Sequence, residues 1–225
     1  MNWFLSLYRS AMVKKTAMAI SGLMLFGFVA GHMVGNLKVF QGAEKFNRYA
    51  EWLREIGMPM LPHGGLLWIA RIGLLTAIIV HIVSAVQLVR MARRARPVSY
   101  RRRDRVQLDY AARTMRWGGL IIFLYVIYHL LHLTWGSAHS DFVYGDVYHN
   151  VVSAFQNPFI TGIYVIANLM LGVHLYHGLW SMFQTLGWNH PRYNPWRRSF
   201  ATLFALGVTL GFIAVPVAVL TGVVS

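Results

Sequence analysis

The chain has 225 residues, 56% of them hydrophobic and 12% charged, with 7 acidic side chains against 21 Lys and Arg. A soluble domain carries about 25% charged residues, so this composition excludes an ordinary water-exposed surface. The lack of any cysteine excludes disulfides, thiolate-held iron–sulfur clusters and C-x-x-C-H haem attachment on this chain. The +14 formal charge does not read as a nucleic-acid surface, because the arginines fall between apolar runs, the pattern that sets membrane orientation.

Five apolar runs predict five transmembrane helices, since about 20 helical residues cross the hydrocarbon core. Backbone groups in lipid must bond internally, which favours helices. Barrel strands would be about ten residues long and half polar. The first span, 17–37, exceeds the h-region of a signal peptide and ends at Asn36 and Lys38 without a clear cleavage site. It carries His32 beside a G-x-x-x-G-x-x-x-G stripe, Gly27, Gly31 and Gly35. Such a stripe makes room for a flat ring or allows close helix packing. Next comes a predicted amphipathic surface helix, 43–56. Ala43, Phe46, Ala50, Leu53 and Ile56 recur at helical spacing, and Glu44, Arg48, Glu51, Arg54 and Glu55 fill the other face.

The second span, 66–89, contains His81, and an arginine-rich connection follows it. The third, 117–135, contains His129 and His132. The fourth, 159–186, contains His174 and His177. The fifth, 200–224, has no histidine, and Pro216 is a candidate kink. His63, His139, His149 and His190 fall in connections and are expected on the surface. Sixteen Lys and Arg lie before span one or in the connections after spans two and four, against five on the other side. The positive-inside rule then predicts a cytoplasmic N-terminus and an outer C-terminus. The whole of 1–225 is expected to form one transmembrane domain.

Ionisable groups within membrane spans are functional-site hypotheses by default. Here the histidines sort by depth. His32 lies 15 residues past Ala17 and His129 lies 12 past Trp117, both on spans entering from the cytoplasm. His81 lies 15 past Leu66 and His174 lies 15 past Phe159, on spans entering from outside. At a rise of ~1.5 Å per residue, the first pair falls in the outer half of the membrane and the second in the inner half. Two histidines at one depth on different helices can take both faces of a haem iron. Two such pairs would stack two haems, and iron with both axial positions filled suits one-electron transfer. By spacing alone, His132 and His177 are alternative ligands, haem-propionate partners or hydrogen bonders to a quinone.

These residues resemble the cytochrome b558-type membrane anchors of succinate dehydrogenases and fumarate reductases, the two-haem, single-anchor class. The resemblance rests on G-H-M-V-G-N-L at 31–37, G-A-E-K-F-N at 42–47, Y-H at 128–129 and H-L-Y-H-G-L-W-S at 174–181. It extends along almost the whole chain. It implies a four-helix haem-binding bundle from the first four spans, with axial ligands His32, His81, His129 and His174, paired His32/His129 outside and His81/His174 inside. His132 and His177 then become neighbours of the ligands. It further implies two haem b, a multi-pass place in the cytoplasmic membrane, and docking to an iron–sulfur and a flavoprotein subunit on the cytoplasmic face. The quinone expected is menaquinone, in the respiratory complex that serves the tricarboxylic acid cycle.

The quinone site is less defined. On the outer side Lys38, Glu44, Glu51, Glu55, His132 and Asp141 are candidates, and on the inner side Arg90, His177, Trp180 and Gln184. Two rival readings remain. One is the cytochrome b anchor of a nitrate reductase, formate dehydrogenase or hydrogenase, which distributes its ligands differently among helices. The other is a histidine-lined transporter, which predicts polar residues along one path and broken helices.

Overall fold

In the computed structural model, which describes residues 10–95 and 110–225, every regular element is helical. Ser10 opens α1 (Ala11–Asn36) by accepting a 3.2 Å hydrogen bond from the Val13 amide, the usual device for an orphan first-turn donor. A 3-10 turn, Leu37–Gln41, leads to Gly42, whose φ of 90° no side-chain residue adopts readily. The chain then enters α2 (Ala43–Glu55). α3 spans Gly65–Arg94. α4 (Tyr110–His129) continues directly into a π turn, Leu130–Thr134. α5 (Val147–Phe155) is a short helix within the connection 136–158 that hydrophobic runs did not reveal. α6 (Pro158–Thr185) starts with Asn157 accepting from Phe159 and Ile160 and with proline in its first turn. α7 (Asn194–Leu220) completes the chain.

Five of these helices are long and apolar enough to cross a membrane: Ala11–Gln41, Gly65–Arg94, Met115–Thr134, Pro158–Thr185 and Asn194–Leu220. Their ends differ from the apolar runs for local reasons. α1 begins at its serine cap rather than at the first apolar stretch. α7 begins beside Pro195 and stops short of 224, where Gly222 turns at φ 76° and the amides of Val223 and Val224 return to the Ala218 carbonyl.

α1 packs on α3, and α4 packs on α6. Among the described residues, α1 and α4 make no substantial contact, nor do α3 and α6, nor α3 and α4. α1 also touches α6, so the first four spans form an open ring in the order α3, α1, α6, α4. α7 stands outside this ring, packed on α6 and reaching α1. Two glycines bring it close. A Cβ on Gly172 would overlap the Thr209 side chain, and one on Gly211 would overlap the Met33 thioether.

The glycine stripe of α1 works otherwise than its spacing implied. Gly27 and Gly31 share a face with Ile20, Leu23, Met24 and Val34, all exposed, and a Cβ at either glycine would meet nothing within 4 Å. They neither open space inside the ring nor draw in another described helix. Gly35 alone is a contact glycine, its Cβ position 3.2 Å from the Tyr49 hydroxyl.

The tightest core lies at one end of the bundle. There Val39, Phe46, Val152, Phe155, Tyr164 and Val219 meet from the 3-10 turn, α2, α5, α6 and α7. Polar bonds tie this cap together. The Asn47 amide donates to Asp146 Oδ1 at 2.9 Å and its oxygen accepts from the Tyr148 amide at 2.9 Å. Asp146 also caps α5 through the His149 amide, 2.9 Å away. That amide, with Asn47, holds the Asp146 carboxyl below its ordinary value. A depressed carboxyl stabilises the fold above its unfolded value, and the contribution is lost as pH falls through the lower folded value. Asp146→Ala is expected to cost about 1 kcal/mol, the usual cap loss. In thermal melts of detergent-solubilised protein, the gap between wild type and variant should narrow on acidification below about pH 4.

At the opposite end, Arg197 clasps the turn before α7. It is buried and donates to the Trp188 carbonyl, to Asn194, and to Asn189 Oδ1 at 3.0 Å, with its guanidinium 4.9 Å from the Trp180 ring centre. Arg197 is thus spent on the turn, and Trp180 lies beneath it.

Candidate bis-histidine sites

The structure brings the four mid-span histidines together in two pairs. His32 on α1 and His129 on α4 have ring centroids 5.9 Å apart at 79°. His81 on α3 and His174 on α6 have centroids 6.3 Å apart at 61°. Each pair joins helices that do not pack on each other, so the rings meet across the interior. An imidazole nitrogen binds a first-row metal at about 2 Å and lies about 1 Å from its ring centre, so two ligands on opposite sides of one iron place their centroids roughly 6 Å apart. Both pairs fit that requirement.

The levels of the pairs follow from contacts. A Cβ at Gly22 of α1 would lie 3.4 Å from His81 Cε1, so His81 is level with a point ten residues before His32. A Cβ at Gly119 of α4 would lie 3.8 Å from His174 Cε1, ten residues before His129. Two helices thus agree on a separation of about 15 Å along the bundle. Gly118 sits on the same face of α4 as His129, at the level of His174. It is buried, yet a Cβ there would meet nothing within 4 Å. With Met115, Met170, Val173 and His174 it lines a small cavity.

A hydrogen bond fixes which nitrogen of His81 is free. His81 Nδ1 lies 3.2 Å from the Met18 carbonyl and 3.5 Å from Ser21 Oγ. A carbonyl only accepts, so Nδ1 carries the proton and Nε2 keeps the lone pair a metal needs. His129 Nδ1 lies 3.4 Å from the Tyr164 hydroxyl. His132, 0% exposed, is not part of either facing pair; its Nδ1 lies 3.0 Å from the same hydroxyl, and its ring stacks on Tyr128 and His139. His177 is half-buried one turn from His174.

Of the connecting histidines, His63 and His190 are exposed as expected, whereas His139 and His149 are half-buried. His139 is half-buried against His132, its Nε2 3.0 Å from Ser153 Oγ, and burial lowers its pKa. His149 lies within α5, 3.0 Å from Asp141 Oδ2. His63 sits 2.8 Å from Glu51 Oε1, whose other oxygen takes Arg54 at 2.7 Å. Both bonds hold the Glu51 carboxyl below its ordinary range. Glu51 and Glu55 line an open surface groove with Asn47, Arg48 and Trp52, and none of the histidines lines it. Lys38 lies over the Tyr49 ring. Sequence reasoning missed Tyr164, Gly22, Gly118 and Gly119, because a tyrosine or a lone glycine in a span has no distinctive spacing.

Five helices long and apolar enough to cross a membrane, with histidines facing one another between them, define the chain as a multi-pass membrane protein. A family model described as Succinate dehydrogenase/Fumarate reductase transmembrane subunit matches residues 110–214, a little under half of the chain, so over that stretch the chain is similar to that family. The match covers His129, His132, His174 and His177, whereas His32 and His81 precede it. No curated protein and no solved structure matches the chain.

Proposed function

We propose that the chain is the cytochrome b anchor of a succinate:quinone oxidoreductase, holding two haem b groups between His32 and His129 and between His81 and His174. The observation that carries this is the pair of ~6 Å histidine couples on opposed helices, two of whose four members lie in residues matching the succinate dehydrogenase/fumarate reductase model. When bound, the haems would supply one-electron centres. His32, His129, His81 and His174 would hold those centres, and the apolar helices would keep water from them. Lys and Arg asymmetry supports a cytoplasmic N-terminus, and in that orientation the His81/His174 pair would lie on the side where the iron–sulfur and flavoprotein subunits would dock. Electrons from succinate would then reach a membrane quinone, menaquinone by the resemblance.

The test is a spectrum of the intact complex. Two b-type haems per chain, reduced by succinate, are expected. Haem reduced by dithionite but not by succinate would remove the succinate assignment, and no b-type haem in protein made with ample haem supply would remove the cytochrome reading.

A further inference from the structure

Tyr164 is 3% exposed, and its ring is held by Tyr125, Tyr128 and Phe155, the last at a centroid distance of 4.8 Å. Its hydroxyl lies 3.0 Å from His132 Nδ1 and 3.4 Å from His129 Nδ1. A phenol has one proton, so between two imidazole nitrogens it donates to one and accepts from the other. Two directions are open. If His132 donates to Tyr164, the hydroxyl donates to His129 Nδ1, and the neutral His129 ring carries its proton on Nε2. If His129 donates, the Tyr164 hydroxyl donates its hydrogen bond to His132 Nδ1, and His129 Nε2 keeps its lone pair. Only the second direction leaves His129 able to hold iron through Nε2.

We infer that Tyr164, with His132 behind it, is a positioning residue for His129, keeping the His129 proton on Nδ1 and its Nε2 toward the interior. This rests on the haem-ligand reading above. The π turn that begins just after His129 carries His132 to the same hydroxyl. His132 Nε2 is buried and has no hydrogen-bond partner among the described residues, so the chain of bonds ends there. It orients a ligand without leading to solvent. The inner pair is built differently: the Met18 carbonyl performs the orienting role for His81, and no side-chain substitution can remove it.

An acceptor on Nδ1–H makes the imidazole a stronger donor to iron and favours the ferric state. Tyr164→Phe in the intact complex should therefore keep two haems per chain. It should raise the reduced-to-oxidised ratio, at fixed ambient potential, of only the haem that His129→Ala removes. A tenfold rise is about 59 mV for one electron. His132→Phe should move the same haem in the same direction, and His132→Gln, whose amide oxygen still accepts, should restore it. Unmoved potentials, or equal shifts at both haems, would overturn the inference. Should Tyr164→Phe lose haem altogether, the contrast between His132→Phe and His132→Gln decides. A wild-type complex without b-type haem sinks the ligand reading itself, whereas two haems with unmoved potentials sink only the role given to Tyr164.

Discussion

His174→Ala is expected to leave the complex with one haem per chain instead of two, and to abolish electron delivery to quinone while succinate oxidation with a soluble dye persists. Its partner His81 is oriented by a backbone carbonyl from α1, not by His174, so the remaining imidazole stays in place but offers only one axial bond. The His32/His129 pair lies about 15 Å further along the bundle and shares none of the inner pair's contacts, so its haem should remain. Changes to groups that merely orient a metal ligand cost 10–100-fold, so removing the ligand itself should lower quinone reduction by more than about 100-fold. The dye assay matters because it separates a broken electron path from a damaged complex. Haem-to-polypeptide ratio and the two activities are the measurements. Retention of both haems in His174→Ala would contradict the pairing at its root.

The spans and the histidine pairs were legible because both depend on long-range regularities that a membrane imposes. Twenty apolar residues must cross, and a helix rises evenly, so counting from span starts predicted which imidazoles share a level. His32 with His129 and His81 with His174 are the couples the structure brings face to face. The packing glycines were not legible, because a glycine's role depends on what lies across from it. Gly27 and Gly31 form the obvious motif and look outward, whereas Gly172 and Gly211 form no motif and seat α7. His139 was expected in solvent because it follows the third span, but the chain turns back at Ala138, whose amide bonds the Leu131 carbonyl, and lays its ring on His132. Turn geometry of this kind leaves little trace in hydropathy.

Gly118→Leu tests the interior most directly, and it should remove the inner haem while leaving the fold intact. A Cβ at this buried glycine meets nothing within 4 Å, so the first atoms of the new side chain have room. Replacing a mid-helix glycine also favours the helix by about 0.8–1.0 kcal/mol. Stability of the haem-free bundle should not fall, yet the leucine would occupy the space beside His174 that a flat macrocycle needs. Gly118→Ala, adding one methyl, should bind haem near the wild-type level. Gly172→Leu is the necessary contrast. Its side chain would strike Thr209, and overpacking of this kind costs about 1–3 kcal/mol by pushing α7 off α6. That variant should lower the melting temperature and release both haems together. Selective loss of one haem in Gly118→Leu, with an unchanged melt of the haem-depleted protein, would place the macrocycle between α4 and α6 at the level of His174. Full retention of both haems there would mean that the cavity beside His174 has another purpose.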